Sequence, residues 1–500
     1  MISAFTNIFK IPELRQRIIF TLMMLIIVRA GAAITIPGVN AHVLNDWFKS
    51  QTNNATAGGI AALANIFAGG ALEHCAIFSL GIMPYISASI MMQLLTAVIP
   101  RLNKLAREET GGRQKIMQYT RYVTLGLCLF QGYLLALSMQ SPQSNPFLQG
   151  IGASIAKLGP LVPSPGLGFQ IVAVITLSAG TMFLMWIGDQ ITERGVGNGT
   201  SMIITVGIVA TLPGALVQVW NTFVPSTANQ NQVNPLVLVL MIVFLVLVIA
   251  GVIALTQGQR RISIQYAKRV VGRKVYGGQT QYLPLKVNAV GVMPIIFAQA
   301  ILLFPSTILS MGFRGQEWAV NLANALAYGP WHYLMTGLLI FFFSFFWVAI
   351  QFQPTQIADD LKKYNGYIPG YRPGKPTAEF LEFTLSRLTF AGAIFLTLIA
   401  VIPELLITGA GVPRLTARFF GGTSLLIIVG VILDTMRQIE THLIQRHYDG
   451  FLRKGRIRGR FERTPASRGS LVKEGALLWM CVGAAILAVA GVAISIFVSH

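Results

Sequence analysis

The sequence predicts an all-α polytopic membrane protein, and three observations carry that prediction. Its 500 residues are 54% hydrophobic and 11% charged, against roughly 25% charged in an ordinary soluble domain. Apolar runs of about 20 residues, the length that crosses a ~30 Å hydrocarbon core as a helix, recur along the whole chain. The 38 Lys and Arg are also unevenly placed: if the loops alternate from a cytoplasmic N-terminus, 32 of them fall on the cytoplasmic side, which is the positive-inside bias. Helices follow because each backbone N–H and C=O in lipid has to be satisfied within its own segment.

In order, the runs predict spans near 18–37, 76–99, 119–140, 168–189, 200–220, 235–256, 288–310, 333–352, 388–408, 421–440 and 475–498. The first follows Lys10, Arg15 and Arg17, carries Arg29 inside it and has no A-x-A site, so it reads as a retained helix rather than a cleaved signal. Cys75, Cys128 and Cys481 are an odd, scattered set and form neither a disulfide framework nor a metal cluster.

Before the second span lies a segment that starts like a membrane helix and fails. Residues 58–73 are rich in small residues and are broken at Gly69 and Gly70. Fifteen residues of helix, Gly58 to Leu72, reach only about 22 Å. Elements too short to span are tolerated at membrane depth only inside protein or a water-filled cavity, so this one reads as a stopper. A surface-lying amphipathic helix is the alternative, and the absence of Lys and Arg weighs against it. In GIMPYISASIMMQLL, which follows, Ile82 and Ile86 are four apart and share a face. Ser87, Ala88 and Ser89 permit close helix approach, and aliphatic rings of this kind can gate a pore by dewetting.

Two loops on the basic side exceed what a connector needs. Residues 257–287 alternate polar and apolar at Arg261–Tyr266 and Lys274–Tyr276, the pattern of a basic β-hairpin. Residues 353–387 are rich in Gly and Pro at first and carry Arg372 and Lys375. A basic hairpin beside a membrane can dock an acidic protein, ribosomal RNA or anionic lipid.

Enzyme signals are missing: there is no G-x-x-x-x-G-K-[ST] and no H-E-x-x-H. His442 and His447 are five apart, off one helical face. GVGNGT at 195–200 lies between two membrane spans and reads as a tight helix-to-helix turn. Only Arg29 is a charge well inside a span. An ion-coupled transporter with inverted repeats and broken helices, the main rival reading, normally needs more intramembrane charge. A membrane anchor for a cytosolic complex, the third reading, leaves the stopper and the aliphatic face unexplained.

The stretches AGGALEHCAIFSLGIMPYISASI, GTMFLMWIGDQITERGVGNG, QYAKR, LPLKVNAVGVMPIIFAQAIL, IPGYRPGKPT and FGGTSLLIIVGVILDTMRQIETHL resemble the bacterial SecY family of protein-translocation channels. The likeness runs in order through residues 5–455. It implies a ten-helix channel of two inverted-topology halves, 1–222 and 223–445. The plug would include Ile60, Leu63, Asn65, Ile66, Phe67, Gly69 and Gly70. The pore ring would comprise Ile82, Ile86, Thr200, Ile204 and Ile427, with Met293 or Ile296 completing it. Thr200 departs from the isoleucine expected there, and its hydroxyl would wet the constriction. A lateral gate would run between the helices at 76–99, 119–140, 288–310 and 333–352, lined by Ser87, Gln93 and Asn288. Partner docking would fall on Arg260, Arg261, Lys268, Arg269, Arg273, Lys274, Arg372 and Lys375.

The resemblance further implies a passive pore in the bacterial cytoplasmic membrane, without enzymatic activity or cofactor. Its expected partners are the small subunits SecE and SecG, the SecA motor, the ribosome and signal-sequence-bearing preproteins, with accessory Sec membrane proteins, an insertase and lipid beside them. Beyond the family pattern lie a basic linker, 446–474, and an apolar run, 475–500. That run reads as an extra C-terminal transmembrane helix.

Overall fold

A computed structural model describes residues 12–52, 61, 64–65, 67–107, 111–142, 148, 150–223, 235–266, 269–271, 274–276, 280–288, 291–313, 316–327, 329–410 and 423–454. Helix occupies each of the first ten expected spans. The N-terminal series is α1 (Pro12–Gly31), α2 (Ala41–Thr52), α3 (Met83–Val98), α4 (Pro100–Arg107), α5 (Gly112–Gln140), α6 (Gly152–Leu158), α7 (Leu167–Arg194), α8 (Gly199–Ala210), α9 (Leu212–Phe223) and α10 (Pro235–Gln257). After a β-lobe come α11 (Met293–Gly312), α12 (Glu317–Ala327), α13 (Pro330–Gln351), α14 (Pro354–Lys363), α15 (Lys375–Ala410) and α16 (Thr423–Lys454). The expected eleventh span, 475–498, lies outside the described residues.

Among the described residues, five helices are long and apolar enough to cross a membrane by themselves, and α3 with α4 forms a further, bent pair. Proline and turn chemistry explain where helices depart from the apolar runs. The run from 76 becomes helical only at Met83, because Cys75 and Gly81 take positive φ and Pro84 fits the first helical turn. Pro100 forces Ile99 into extended geometry, φ −89° and ψ 113°, and the chain turns by 105° into α4. The run at 200–220 is two helices, α8 and α9, meeting at Thr211. Pro213, which has no N–H to donate, follows directly.

The helices pack as neighbours along the chain and across it. α3 lies against α5 and α11, α5 against α7, α11 against α13, and α13 against α15. One apolar cluster runs through them, from Leu25 in α1 to Val431 in α16. Ile26, Ile175 and Leu247 stay exposed, as expected where lipid replaces water as the solvent. Residues to Leu443 form one compact unit and those from Ile444 a second, which is described only as the last turns of α16.

The two long loops, expected as separate structures, are one lobe. Strands β1 (Gln259–Tyr266), β2 (Arg269–Val271), β3 (Lys274–Tyr276), β4 (Thr280–Lys286) and β5 (Gly366–Tyr367) make two sheets. The larger has the order β4-β1-β5, all antiparallel, with Arg261 opposite Pro284 and Gln265 opposite Tyr367. β2 and β3 form a separate two-stranded hairpin at its tip. Ile262 and Ile264 point inward from β1 and join Leu285, Ile368, Leu381 and Leu385 in a core of their own. The period-2 alternation was legible in the sequence; the third strand was not, because it comes from the second loop.

Candidate functional site

The turn between α7 and α8 sets the geometry at the end of the bundle that carries Arg121 and Arg194. Asn198 caps α8, accepting from the backbone N–H groups of Thr200 at 3.1 Å and Ser201 at 3.3 Å. The N–H of Val196 donates to the Thr21 hydroxyl and that of Gly197 to the Gln438 side-chain carbonyl, each at 3.0 Å. The turn is thereby tied to α1 and α16. Gly199 packs directly on Gly188, leaving no room for a side chain. A few residues away, Arg121 and Asp189 pair at 2.7 Å, joining α5 to α7.

Beside this turn is a recess of about 320 Å³. Ile86, Ile204, Met293 and Ile296 line it with apolar surface; Ser89, Gln93, Asn198 and Thr200 add polar groups, and Asp189 and Glu193 add carboxylates. Met293 and Ile296 therefore both face the recess. The Thr200 hydroxyl donates to Asn198 Oδ1 at 2.6 Å, so its proton is committed to the helix cap. Ile82 lines a small neighbouring cavity of about 20 Å³, together with Arg29, Phe67, Gly69, Ile203 and Gly207. Ile427 is fully buried within the apolar cluster that also holds Ile82, Ile86, Ile204 and Ile296.

Of the plug residues, Asn65, Phe67, Gly69 and Gly70 are described, whereas Ile60, Leu63 and Ile66 lie outside the described residues. The segment is a short helical piece closed by a turn. Asn65 Oδ1 accepts from the Glu73 N–H at 3.0 Å and Asn65 Nδ2 donates to Glu73 Oε2 at 3.3 Å. The Ser79 hydroxyl donates to the Ala71 carbonyl at 3.1 Å. Gly69 and Gly70 hold φ of 67° and 82°, the left-handed region that favours glycine. Arg29 Nη1 donates to the Gly69 carbonyl at 2.6 Å. The sequence marked Arg29 only as an isolated intramembrane charge, and its partner is a structural finding.

The three expected gate residues do not converge. Ser87 lines a cavity of about 60 Å³ between α3, α5 and α11, with Leu134, Leu135, Leu303 and Met311. Gln93 faces the first recess and donates to Ser89 at 3.3 Å. Asn288 is buried, and its side-chain N–H donates to the Gly291 carbonyl at 2.9 Å, fixing the turn into α11. On the lobe, Arg260, Arg261, Arg372 and Lys375 are exposed, and Arg269 and Lys274 stand on β2 and β3. Lys268 and Arg273 lie outside the described residues.

Comparison with known proteins reads these features together. A profile of the SecY family matches residues 76–436. The protein translocase subunit SecY of Thermotoga maritima is 43% identical over 461 residues, covering 92% of this chain and all of that relative. A structure described as that of a protein-conducting channel superposes with a TM-score of 0.57 at 18% identity, covering 87% of this chain and 96% of that one. Sec61 from the canine ribosome–channel complex of the endoplasmic reticulum gives 0.54 at 17% identity, with the same 87% and 96% coverage. A recess lined by aliphatic side chains, a profile match over residues 76–436 and relatedness over nearly the whole length lead to one conclusion: this chain belongs to the SecY family.

Proposed function

We propose that this chain is the channel subunit of a bacterial protein translocase, passing unfolded preproteins across the cytoplasmic membrane and releasing transmembrane segments sideways into lipid. The observation that carries the reading is the juxtaposition of two spaces. One is the recess where Ile86, Ile204, Met293 and Ile296 meet. The other is the adjoining cavity in which Ile82 sits with Phe67 and Gly69 of the glycine-turned segment. Aliphatic side chains make no directional bonds, so a constriction built from them accepts any peptide sequence while excluding water and ions. In this reading Ile82, Ile86, Thr200, Ile204, Met293, Ile296 and Ile427 form the ring, and residues 58–73 form the plug.

The halves 1–222 and 223–445 would meet where α11 packs against α3 and α5. That seam, with the Ser87 cavity inside it, is the proposed lateral gate. Basic residues concentrate on the lobe side, which supports a cytoplasmic N-terminus. The exposed Arg260, Arg261, Arg372 and Lys375 then form one docking face for the SecA motor and the ribosome. The canine relative's ribosome-bound state supports the latter partner. SecE and SecG are the proposed membrane subunits. The chain acts as a passive pore, with driving force supplied by its partners. Residues 475–500, an apolar run in the sequence, are the proposed extra transmembrane helix.

A photo-crosslinker at Ile86, in membranes carrying a precursor stalled in transit, tests the pore. Crosslinks to the mature part of the precursor are expected, and none while translocation proceeds would overturn the assignment. A reporter fused after His500 tests the eleventh helix, and a cytoplasmic signal would reject it.

A further inference from the structure

We propose that Arg29 is a positioning residue that holds the plug shut through the backbone carbonyl of Gly69. The inference rests on the channel reading above and assigns its closed state a specific latch.

Three observations meet at this contact. The first is where the hydrogen bonds of the segment go. Asn65 bonds to Glu73, Ser79 to Ala71, and the N–H groups of Ala68, Gly70 and Ala71 to Ala64, Asn65 and Ala68. All of these are local, spanning eight residues or fewer, and they would travel with the plug if it moved. Among the described residues from Ala61 to Glu73, the bond from Arg29 to Gly69, at 2.6 Å and 40 residues away in sequence, is the one that comes from another helix.

The second is the state of the carbonyl itself. Gly69 is buried and has φ of 67°, and this turn aims its C=O away from the local bonds. A buried carbonyl without a donor is costly at membrane depth, and a charged donor makes the stronger kind of bond. A Cβ on Gly69 would come within 2.8 Å of Gly207 Cα in α8 and 3.4 Å of Arg29 Nη1. The turn is thus seated directly between the backbone of α8 and the guanidinium.

The third is the state of the charge. Arg29 lies in the last turn of α1, and among the described residues it makes no ion pair. An intramembrane charge without a counter-charge is expensive and is retained for a function. Here it is spent on a peptide dipole of the plug, in the same cavity as Ile82. Displacing the plug breaks the bond and leaves the buried Gly69 carbonyl without this donor, so the contact favours the closed state in the absence of a precursor. The latch reads no sequence, because its acceptor is main chain.

The test uses the full-length chain purified with its native membrane subunits and placed in planar bilayers without precursor, plus precursor translocation by the wild type as a separate readout. A second assay labels Phe67→Cys with a membrane-impermeant maleimide from the plug side. Arg29→Met is expected to raise the plug-open population, and with it resting conductance and labelling, by roughly tenfold, the worth of a hydrogen bond to a charged group. Arg29→Lys, which keeps a donor, is expected to stay near wild type. Gly69→Ala, with Arg29 intact, is expected to reproduce the opening from the other side of the contact. Resting conductance and labelling unchanged in Arg29→Met would overturn the latch, whatever Gly69→Ala does, because a Cβ there also meets Gly207. So would equal loss in Arg29→Lys and Arg29→Met, which would make the role merely structural. Failure of the wild type to translocate any precursor would instead overturn the channel reading.

Discussion

The Tyr367 hydroxyl donates to the Gln265 side-chain carbonyl at 2.9 Å, joining two loops 102 residues apart. The same two residues face each other across the β1–β5 pairing. The basic hairpin and the Gly-Pro loop are therefore one rigid lobe, with Leu381 fully buried at its centre. Leu381→Ala should cost the lobe about 2–5 kcal/mol. Limited proteolysis of membranes should then cut residues 257–287 and 353–374 together. Cleavage confined to one loop would show that they move independently.

Asn65 closes the turn of the plug segment by two bonds to Glu73. Asn65→Ala removes both and should weaken the turn by roughly 1–3 kcal/mol. Asn65→Asp keeps the acceptor for the Glu73 N–H but sets a second carboxylate beside Glu73. The Asp variant is expected to leak ions more than the Ala variant in planar bilayers. The reverse order would mean that the acceptor role dominates.

Gly199 and Gly188 touch backbone to backbone where α8 leaves α7, and a Cβ at Gly199 would overlap the Gly188 carbonyl. Gly199→Ala should destabilise the protein by about 1–3 kcal/mol, the usual cost of overpacking. A Cβ at Gly166 meets nothing within 4 Å, so Gly166→Ala serves as the control. Thermal unfolding in detergent should separate the two; equal melting temperatures would show that the helices can slide apart at no cost.

Burial, reinforced by nearby Arg437 and partly offset by Asp434, pushes the Lys286 ammonium below the usual lysine value of 10.5. The folded lobe then binds its proton less readily than the unfolded chain. Between the folded value and 10.5 the unfolded state carries more protons, so stability rises as pH climbs through that window, and the penalty is fully present below it. Lys286→Gln should flatten this alkaline gain, and Asp434→Asn should move its onset to lower pH. Protease protection of the lobe, followed from about pH 7 to about pH 10, reads both; an unchanged profile in Lys286→Gln would assign the gain to another group.

The first ten spans, the clustering of the basic residues along the chain and the glycine break before the second span were legible in the sequence alone. Each depends on quantities that add along the chain: the transfer free energy of successive residues, their charge, and the glycines that end a helix. The alternation of Ile262 and Ile264 with Arg261 and Ser263 likewise announced a strand. What tertiary structure alone decided is how residues far apart in sequence meet. Gln438 caps Gly197 across 241 positions, β5 completes a sheet begun by β1, and Asn288 donates its side-chain N–H to the Gly291 carbonyl. Ile427 is sealed in the apolar cluster, whereas Met293 and Ile296 both line the recess. Arg29 was visible as an isolated charge, but its acceptor is a carbonyl, a group every residue carries. Only the fold could select Gly69, because the choice depends on a left-handed turn and a glycine-to-glycine contact that bring that one oxygen within reach.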